Sequence, residues 1–211
     1  MVDLQTELGP IDIYLLDQIL RGRVTSGMRI FDVGFGSGRN LVYLLRSGYD
    51  VCGVDPEPRA VDAVRRLAAE LAPGLPETRF RREAVEATSF EPGSADVVVS
   101  SAVLHFARDD EHFRAVLWGS WGILRPGGLF FCRLASTIGM AAERFRRIEG
   151  RRFRLPDSTE RYLVDEALLL DLTRELGGEL IDPLKTTVVQ DQRCMTTWVL
   201  RKRSEIGARD T

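Results

Sequence analysis

The sequence predicts a doubly wound α/β fold built on a mostly parallel sheet. Three observations carry that prediction. Short apolar runs alternate with stretches of helical spacing from about residue 29 to residue 135, the pattern of strand–helix–strand units. One run, Val97-Val98-Val99, is β-branched without interruption, as in a strand covered on both faces. The first run passes into Gly34, Gly36 and Gly38 and then into helical spacing, which is a buried strand turning sharply into a helix. A chain of 211 residues is long enough to bury a core and short enough for one domain. That domain is expected over 1–203, with a disordered tail at 204–211.

The elements follow in order. Residues 1–9 carry no pattern and read as poorly structured. Pro10 opens a helix to about Leu20, with Ile11, Tyr14, Leu15 and Ile19 on one face and Gly22 past its end. Strand one is Arg29–Val33, and the helix after the glycines stops before Gly48. Val51–Val54 is strand two, closed by Asp55-Pro56. Val61, Val64, Leu67, Ala68 and Leu71 place a helix over Arg59–Leu71, which Pro73-Gly74 ends. Thr78–Arg82 and Asp96–Ser101 are strands three and four. A helix over Asp110–Leu124 precedes the turn Arg125-Pro126-Gly127-Gly128, and Leu129–Leu134 is strand five. Ser136–Leu163 then breaks the rhythm: it is polar and arginine-rich, with a weakly helical piece at Ala141–Ile148. Asp165 caps a helix through Leu176, ended by Gly177-Gly178. Glu179–Val189 and Cys194–Arg201 close the chain as an antiparallel pair.

Composition excludes several classes. A net charge of −2 and a pI of about 5.8 give no sequence-wide attraction to nucleic acid. Only Lys185 and Lys202 among the 29 basic residues are lysines, a composition bias and not chemistry. Cys52, Cys132 and Cys194 lie far apart beside apolar segments with no metal-ligand spacing, and predict buried, reduced thiols in a cytoplasmic protein. Asp3 and Glu7 with no apolar run after them argue against a signal peptide. The longest uncharged stretch, Val97–Ala107, has eleven residues, too few to cross a bilayer. The expected partner is a small molecule, with no metal, membrane or nucleic acid, and the expected assembly is a monomer or homodimer.

The glycine loop narrows the ligand. Dinucleotide folds use G-x-G-x-x-G, but Arg39 stands where the third glycine would fall. A phosphate loop wants G-K-[ST], and this loop has no lysine. Asp32, two residues ahead of Gly34, would repel a pyrophosphate and suits a ligand with positive charge. S-adenosylmethionine has an ammonium group, a sulfonium and no phosphate.

Asp-Val-Gly-Phe-Gly-Ser-Gly at 32–38 resembles the first motif of class I S-adenosylmethionine-dependent methyltransferases. Val-Cys-Gly-Val-Asp ending at Asp55, Ala95-Asp96-Val97-Val98 through Leu104-His105, and Leu124-Arg125-Pro126-Gly127-Gly128 resemble later motifs in the same order. The likeness covers roughly residues 28–135. Gly38-Arg39-Asn40 with Gly48-Tyr49-Asp50-Val51 also looks like the tellurite-resistance branch. The resemblance implies a methyltransferase-type Rossmann-like sheet of seven strands with the last antiparallel. It implies direct methyl displacement from S-adenosyl-L-methionine, without metal, leaving S-adenosyl-L-homocysteine. In the cofactor set it places Asp32, Gly34, Gly36, Gly38, Arg39, Asn40, Asp55 (on both ribose hydroxyls), Pro56 and Ser101. Where the family often has an adenine-binding Asp, this chain has Ala84 between Glu83 and Val85, so main-chain groups of Ala84 and Val85, or Glu83, take that part.

Several residues stay open between two roles. Asp32 either holds the loop amides or meets the ligand's amine. Arg39 and Asn40 either cap a helix or bind. His105, after strand four, is a general base or only a wall of the pocket, and His112 reads as helix surface. Acceptor choice is assigned to the segments outside the likeness: an N-terminal lid at 1–27 with Tyr14 and Gln18, and an insertion at 136–163 covering the acceptor site with Arg152 and Arg154, joined by Phe106. Arg forks bind oxyanions and carboxylates, though Glu143, Glu149, Asp157 and Glu160 could neutralise them. A cofactor-binding sensor or noncatalytic subunit is the alternative, and a nicotinamide-dependent oxidoreductase a weaker one.

Overall fold

The computed structural model describes residues 3–204. The expected tail falls outside them apart from Ser204, which is exposed and irregular. The chain begins with α1 (Leu4–Leu8), where disorder was expected; Asp3 caps it by accepting from Gln5 N. α2 (Ile13–Leu20) starts at the Asp12 cap, two residues after Pro10. The doubly wound part follows as β1 (Arg29–Val33), α3 (Val42–Arg46), β2 (Asp50–Val54), α4 (Pro58–Leu71), β3 (Phe80–Arg81), β4 (Ala95–Ser101), α5 (Asp110–Ile123) and β5 (Leu124–Ala135). Then come β6 (Arg146–Glu149), β7 (Arg152–Arg154), β8 (Glu160–Tyr162), α6 (Glu166–Glu175), β9 (Gly178–Leu180), β10 (Lys185–Val189) and β11 (Arg193–Lys202).

The main sheet runs β10-β11-β5-β4-β1-β2-β3, with β9 paired to β11 off that path. β1, β2, β3, β4 and β5 pair in parallel, and β11 is antiparallel to both β5 and β10. This is the expected seven-strand order with an antiparallel last strand. Successive residues of β1 and β4 bury to opposite sides. Phe31 and Val98 join one core with Phe113, Leu117 and Trp121 of α5 and Leu169 and Leu172 of α6. Ile30, Val97 and Val99 join the other with Leu44 and Leu45 of α3, Val61 and Val64 of α4, and Leu15 of α2. The uninterrupted valines of β4 are therefore a consequence of two-sided burial.

Two expectations change. β3 keeps only two residues, because it is a sheet edge whose Phe80 carbonyl is taken by Arg65 Nε and Nη2 at 3.1 and 2.8 Å. The 136–163 segment is a three-stranded antiparallel sheet, β6-β7-β8, and its one helical piece is a single 3₁₀ turn at Ala142–Arg144. Arg152-Phe153-Arg154 has the two-residue period of a strand, and Phe153 packs with Phe145, Leu155 and Leu163 in a separate small core.

The chain leaves β1 toward β2 and β3 on one side, then returns to place β4 on the other. That reversal makes the carboxyl ends of β1 and β4 the switch point, where ligands bind in such sheets.

Candidate active site

A cavity of about 510 Å³ opens at the switch point. Its walls include Asp32, Gly34, Gly36, Arg39, Asn40, Asp55, Pro56, Ala84, Val85, Ser101 and Phe106. Of the expected cofactor residues only Gly38 is outside the lining; a Cβ there would meet Leu67 Cδ2 at 2.8 Å, so Gly38 lets α4 pack against the loop. Gly36 differs. Its φ is +54°, and a Cβ built on it would meet nothing within 4 Å, so the loop presents bare main chain to the cavity.

Asp55 fixes that loop. Its Oδ2 accepts from Gly36 N and its Oδ1 from Glu57 N, both at 2.9 Å. One carboxylate thus joins the end of β2 to the glycine turn and to the start of α4. Asp32 is the opposite case. It is buried and faces the cavity, and no hydrogen bond supports its charge. Burial pushes its pKa up to about 8, with Arg39 opposing that rise and Asp55 adding to it. A carboxyl held so high is poised for a cation from outside the chain. Of its two open roles, the geometry favours the ligand amine over the loop amides.

The adenine-side loop is also resolved. Glu83 is occupied, its Oε2 accepting from Thr88 Oγ1 at 2.9 Å and Ser89 N at 2.8 Å and its Oε1 from Ser89 Oγ at 2.6 Å. Ala84 and Val85 are left as the main-chain wall. His112 is not mere helix surface. It lines the cavity, its Nδ1 accepts from Arg108 N at 3.2 Å, and its Nε2 lies 3.6 Å from Glu86 Oε1.

Other expected residues sit elsewhere. His105 is buried and does not line the large cavity. Its Nδ1 accepts from Ala135 N at 3.2 Å, and burial, with Arg161 and Arg133 nearby, pushes its pKa down to about 3. That bond joins the turn after β4 to the end of β5. α2 packs on the body of the protein, with Leu15 and Gln18 buried. Tyr14 Oη lies 2.7 Å from Thr187 Oγ1, and Gln18 Nε2 donates to Asp182 Oδ2 at 3.0 Å. Arg152 and Arg154 both donate to Glu160, at 3.0 and 2.6 Å, which is the neutralised arrangement. Arg152 also lines a second cavity of about 150 Å³, walled by His105, Phe106, Ala107, Arg108, Glu160, Arg161 and Tyr162 as well. Arg39 reaches across the mouth of the large cavity, donating from Nη2 to Ser101 Oγ at 3.0 Å.

Sequence reasoning missed Asp12. Its carboxylate is fully buried, accepts from Arg133 Nη1 at 2.9 Å, and lies 3.7 Å from Arg39 Nη2. Its own N–H donates to Asn40 Oδ1 at 2.9 Å. The one available signal was the position of Asp12 as helix cap.

The methyltransferase-domain family matches residues 31–132, the stretch that builds β1 through β5 and this cavity. That stretch is similar to the class I S-adenosylmethionine-dependent methyltransferases. It is 32% identical over 123 residues to a ubiquinone biosynthesis O-methyltransferase of Methylocella silvestris, covering 58% of this chain and 44% of that one. It is 28% identical over 127 residues to the tRNA 5-carboxymethoxyuridine methyltransferase of Escherichia coli, covering 59% and 47%. The chain thus spans less than half the length of the curated relatives it matches. A crystallised S-adenosylmethionine-dependent methyltransferase of Methanosarcina mazei shares the fold at a TM-score of 0.71 and 22% identity, over 89% of this chain and 98% of that one. For a methyltransferase domain the cofactor is S-adenosylmethionine, and the cavity suits it: a partnerless acid for its ammonium, bare glycine main chain, and a second acid at the end of β2. Among the described residues no helix is long and apolar enough to cross a membrane.

Proposed function

We propose that this methyltransferase acts on a small-molecule acceptor bearing a carboxylate or an oxyanion, by direct displacement without metal. The observation that carries the cofactor half is Asp32, a buried carboxyl with no hydrogen bond, turned into a cavity of about 510 Å³. Bound there, S-adenosylmethionine supplies a methyl group activated by its sulfonium. The chain's residues bind and orient. Asp32 offers charge to the ammonium, Asp55 accepts from the ribose hydroxyls, and the main chain of Ala84 and Val85 lines the adenine side. Alignment of the reacting atoms provides much of the acceleration in such reactions. The acceptor half rests on the arginines beside Phe106.

The test pairs calorimetric titration with S-adenosylhomocysteine and an assay of its release over carboxylic acids, oxyanions including tellurite, and tRNA. Binding plus turnover on a small anion supports the reading. Turnover on tRNA alone overturns the small-molecule half. Tight binding with no turnover on any acceptor makes the protein a sensor or noncatalytic subunit.

A further inference from the structure

Resting on that methyltransferase reading, we infer that the acceptor is an aromatic carboxylate, its carboxylate held by Arg161 and Arg108 in the small cavity and its ring laid against Phe106. The small cavity shares Phe106 and Ala107 with the large one. The two cavities therefore adjoin at that wall. The charged groups on the small cavity are Arg108, Arg152, Arg161 and Glu160. Glu160 is engaged by Arg152 and by Arg154. Among the described residues neither Arg108 nor Arg161 has a carboxylate within 4 Å; Arg161 Nη1 donates only to the Glu160 carbonyl at 2.7 Å, and Asp157 feels Arg161 without touching it. Two guanidinium forks with spare donors face a cavity where the one acid is already taken. That fits a carboxylate, which a planar fork matches in pairs of bonds.

The aromatic half comes from Phe106. Its side chain is 60% exposed at the wall common to both cavities. The Arg161 guanidinium lies over its ring at 4.7 Å, and the His105 ring packs at 4.6 Å on it. A large exposed aromatic beside a cavity gains by being covered, and a flat ring covers it best. The arginines that bind are thus Arg108 and Arg161, while Arg152 and Arg154 hold Glu160 away from the anion.

The probes are benzoate and its neutral relative benzamide, titrated calorimetrically into the full chain. Wild type should bind benzoate about tenfold more tightly than benzamide. Arg161→Gln and Arg108→Gln should each erase that preference, and Phe106→Ala should weaken both probes. Arg146→Gln, on exposed β6, should change nothing. Affinity for S-adenosylhomocysteine should hold in the three arginine variants, which also shows that each is folded. Equal affinity for the two probes in wild type, or an unchanged benzoate preference in both arginine variants, overturns the site while leaving the methyltransferase reading intact. Failure of wild type to bind S-adenosylhomocysteine overturns that reading whatever benzoate does.

Discussion

Asp12 and Arg133 meet in a buried ion pair, Arg133 Nη1 donating to Asp12 Oδ2 at 2.9 Å across 121 positions of sequence. The pair fastens the start of α2 to the carboxyl end of β5. Asp12 Oδ1 also accepts from Tyr14 N at 3.0 Å, and its main chain donates to Asn40. Removing one partner of a fully buried pair costs about 3–5 kcal/mol. Arg133 keeps 22% of its side chain exposed, so Asp12→Ala should cost less, about 2–3 kcal/mol, since water can reach the stranded cation. Denaturant unfolding checks this. S-adenosylhomocysteine affinity should fall as well, because Arg39 loses the carboxylate beside it.

Asp32 trades stability for binding. Its pKa rises from 3.8 to about 8 on folding, so between those values the folded chain holds a proton that the unfolded chain releases. Stability of the ligand-free protein therefore falls as pH rises from about 4 to about 8. Asp32→Asn should flatten that slope and raise the melting temperature at pH 8, by about 2–4 °C for each kcal/mol relieved. The same variant should bind S-adenosylhomocysteine at least about tenfold more weakly. A variant that is neither more stable nor weaker in binding would contradict the assigned role.

Asp55→Ala should weaken S-adenosylhomocysteine binding by about one to two orders of magnitude, the effect of losing hydrogen bonds to a charged group worth about 1.5–3 kcal/mol. Gly36 N and Glu57 N also lose their acceptor, so a lower melting temperature should accompany it. Calorimetry and thermal unfolding separate the two effects, and unchanged affinity would remove Asp55 from the site.

Ala102 lies between β4 and the turn of Leu104–Phe106 with φ at 65°, and it lines the large cavity. Left-handed backbone costs a residue with Cβ about 1–2 kcal/mol, against an entropic penalty for glycine of about 0.5–1 kcal/mol. Ala102→Gly should leave the protein equally stable or up to about 1 kcal/mol more stable. Loss of stability in chemical unfolding would show that the strain is absent.

His105 should not shape the pH profile. With its pKa pushed from 6.5 to about 3, it is neutral throughout about pH 6–9, and His105→Gln should leave that part of the kcat profile unchanged in form. The depressed value has a stability consequence instead. The unfolded chain takes up a proton that the folded one refuses, so stability falls as pH drops from about 6.5 toward 3, and His105→Gln should lessen that fall in thermal unfolding.

What was legible in the sequence was local. The strand–glycine–helix turn and the alternation of strands with helices follow from spacing along a continuous stretch, while the place of Asp55 came from the family resemblance. What was not legible depended on which side of a turn faces inward. His105 and His112 are seven positions apart, and only the 3₁₀ turn at Leu104–Phe106 and the start of α5 decide that His112 faces the large cavity. The arginine segment failed for a related reason. Its alternation of charge with Phe153 and Tyr162 is a strand pattern, but the pairing of Glu160 with Arg152 and Arg154 depends on cross-strand register.

The ends of the insertion are tied by one β-bridge. Ser136 and Val164 pair in a single parallel bridge, and Thr137 N donates to the Val164 carbonyl at 2.9 Å. The excursion between them packs Phe145, Phe153, Leu155 and Leu163 against Ala135 of β5 and Met195 of β11, and its two ends are already brought together by the body of the protein. Another hairpin or loop spliced between those ends would inherit that closure, since loop length adds to closure entropy only slowly. A segment exchanged for 137–163 would still have to cover Ala135 and Met195 and replace the stacking of Tyr162 on Phe113.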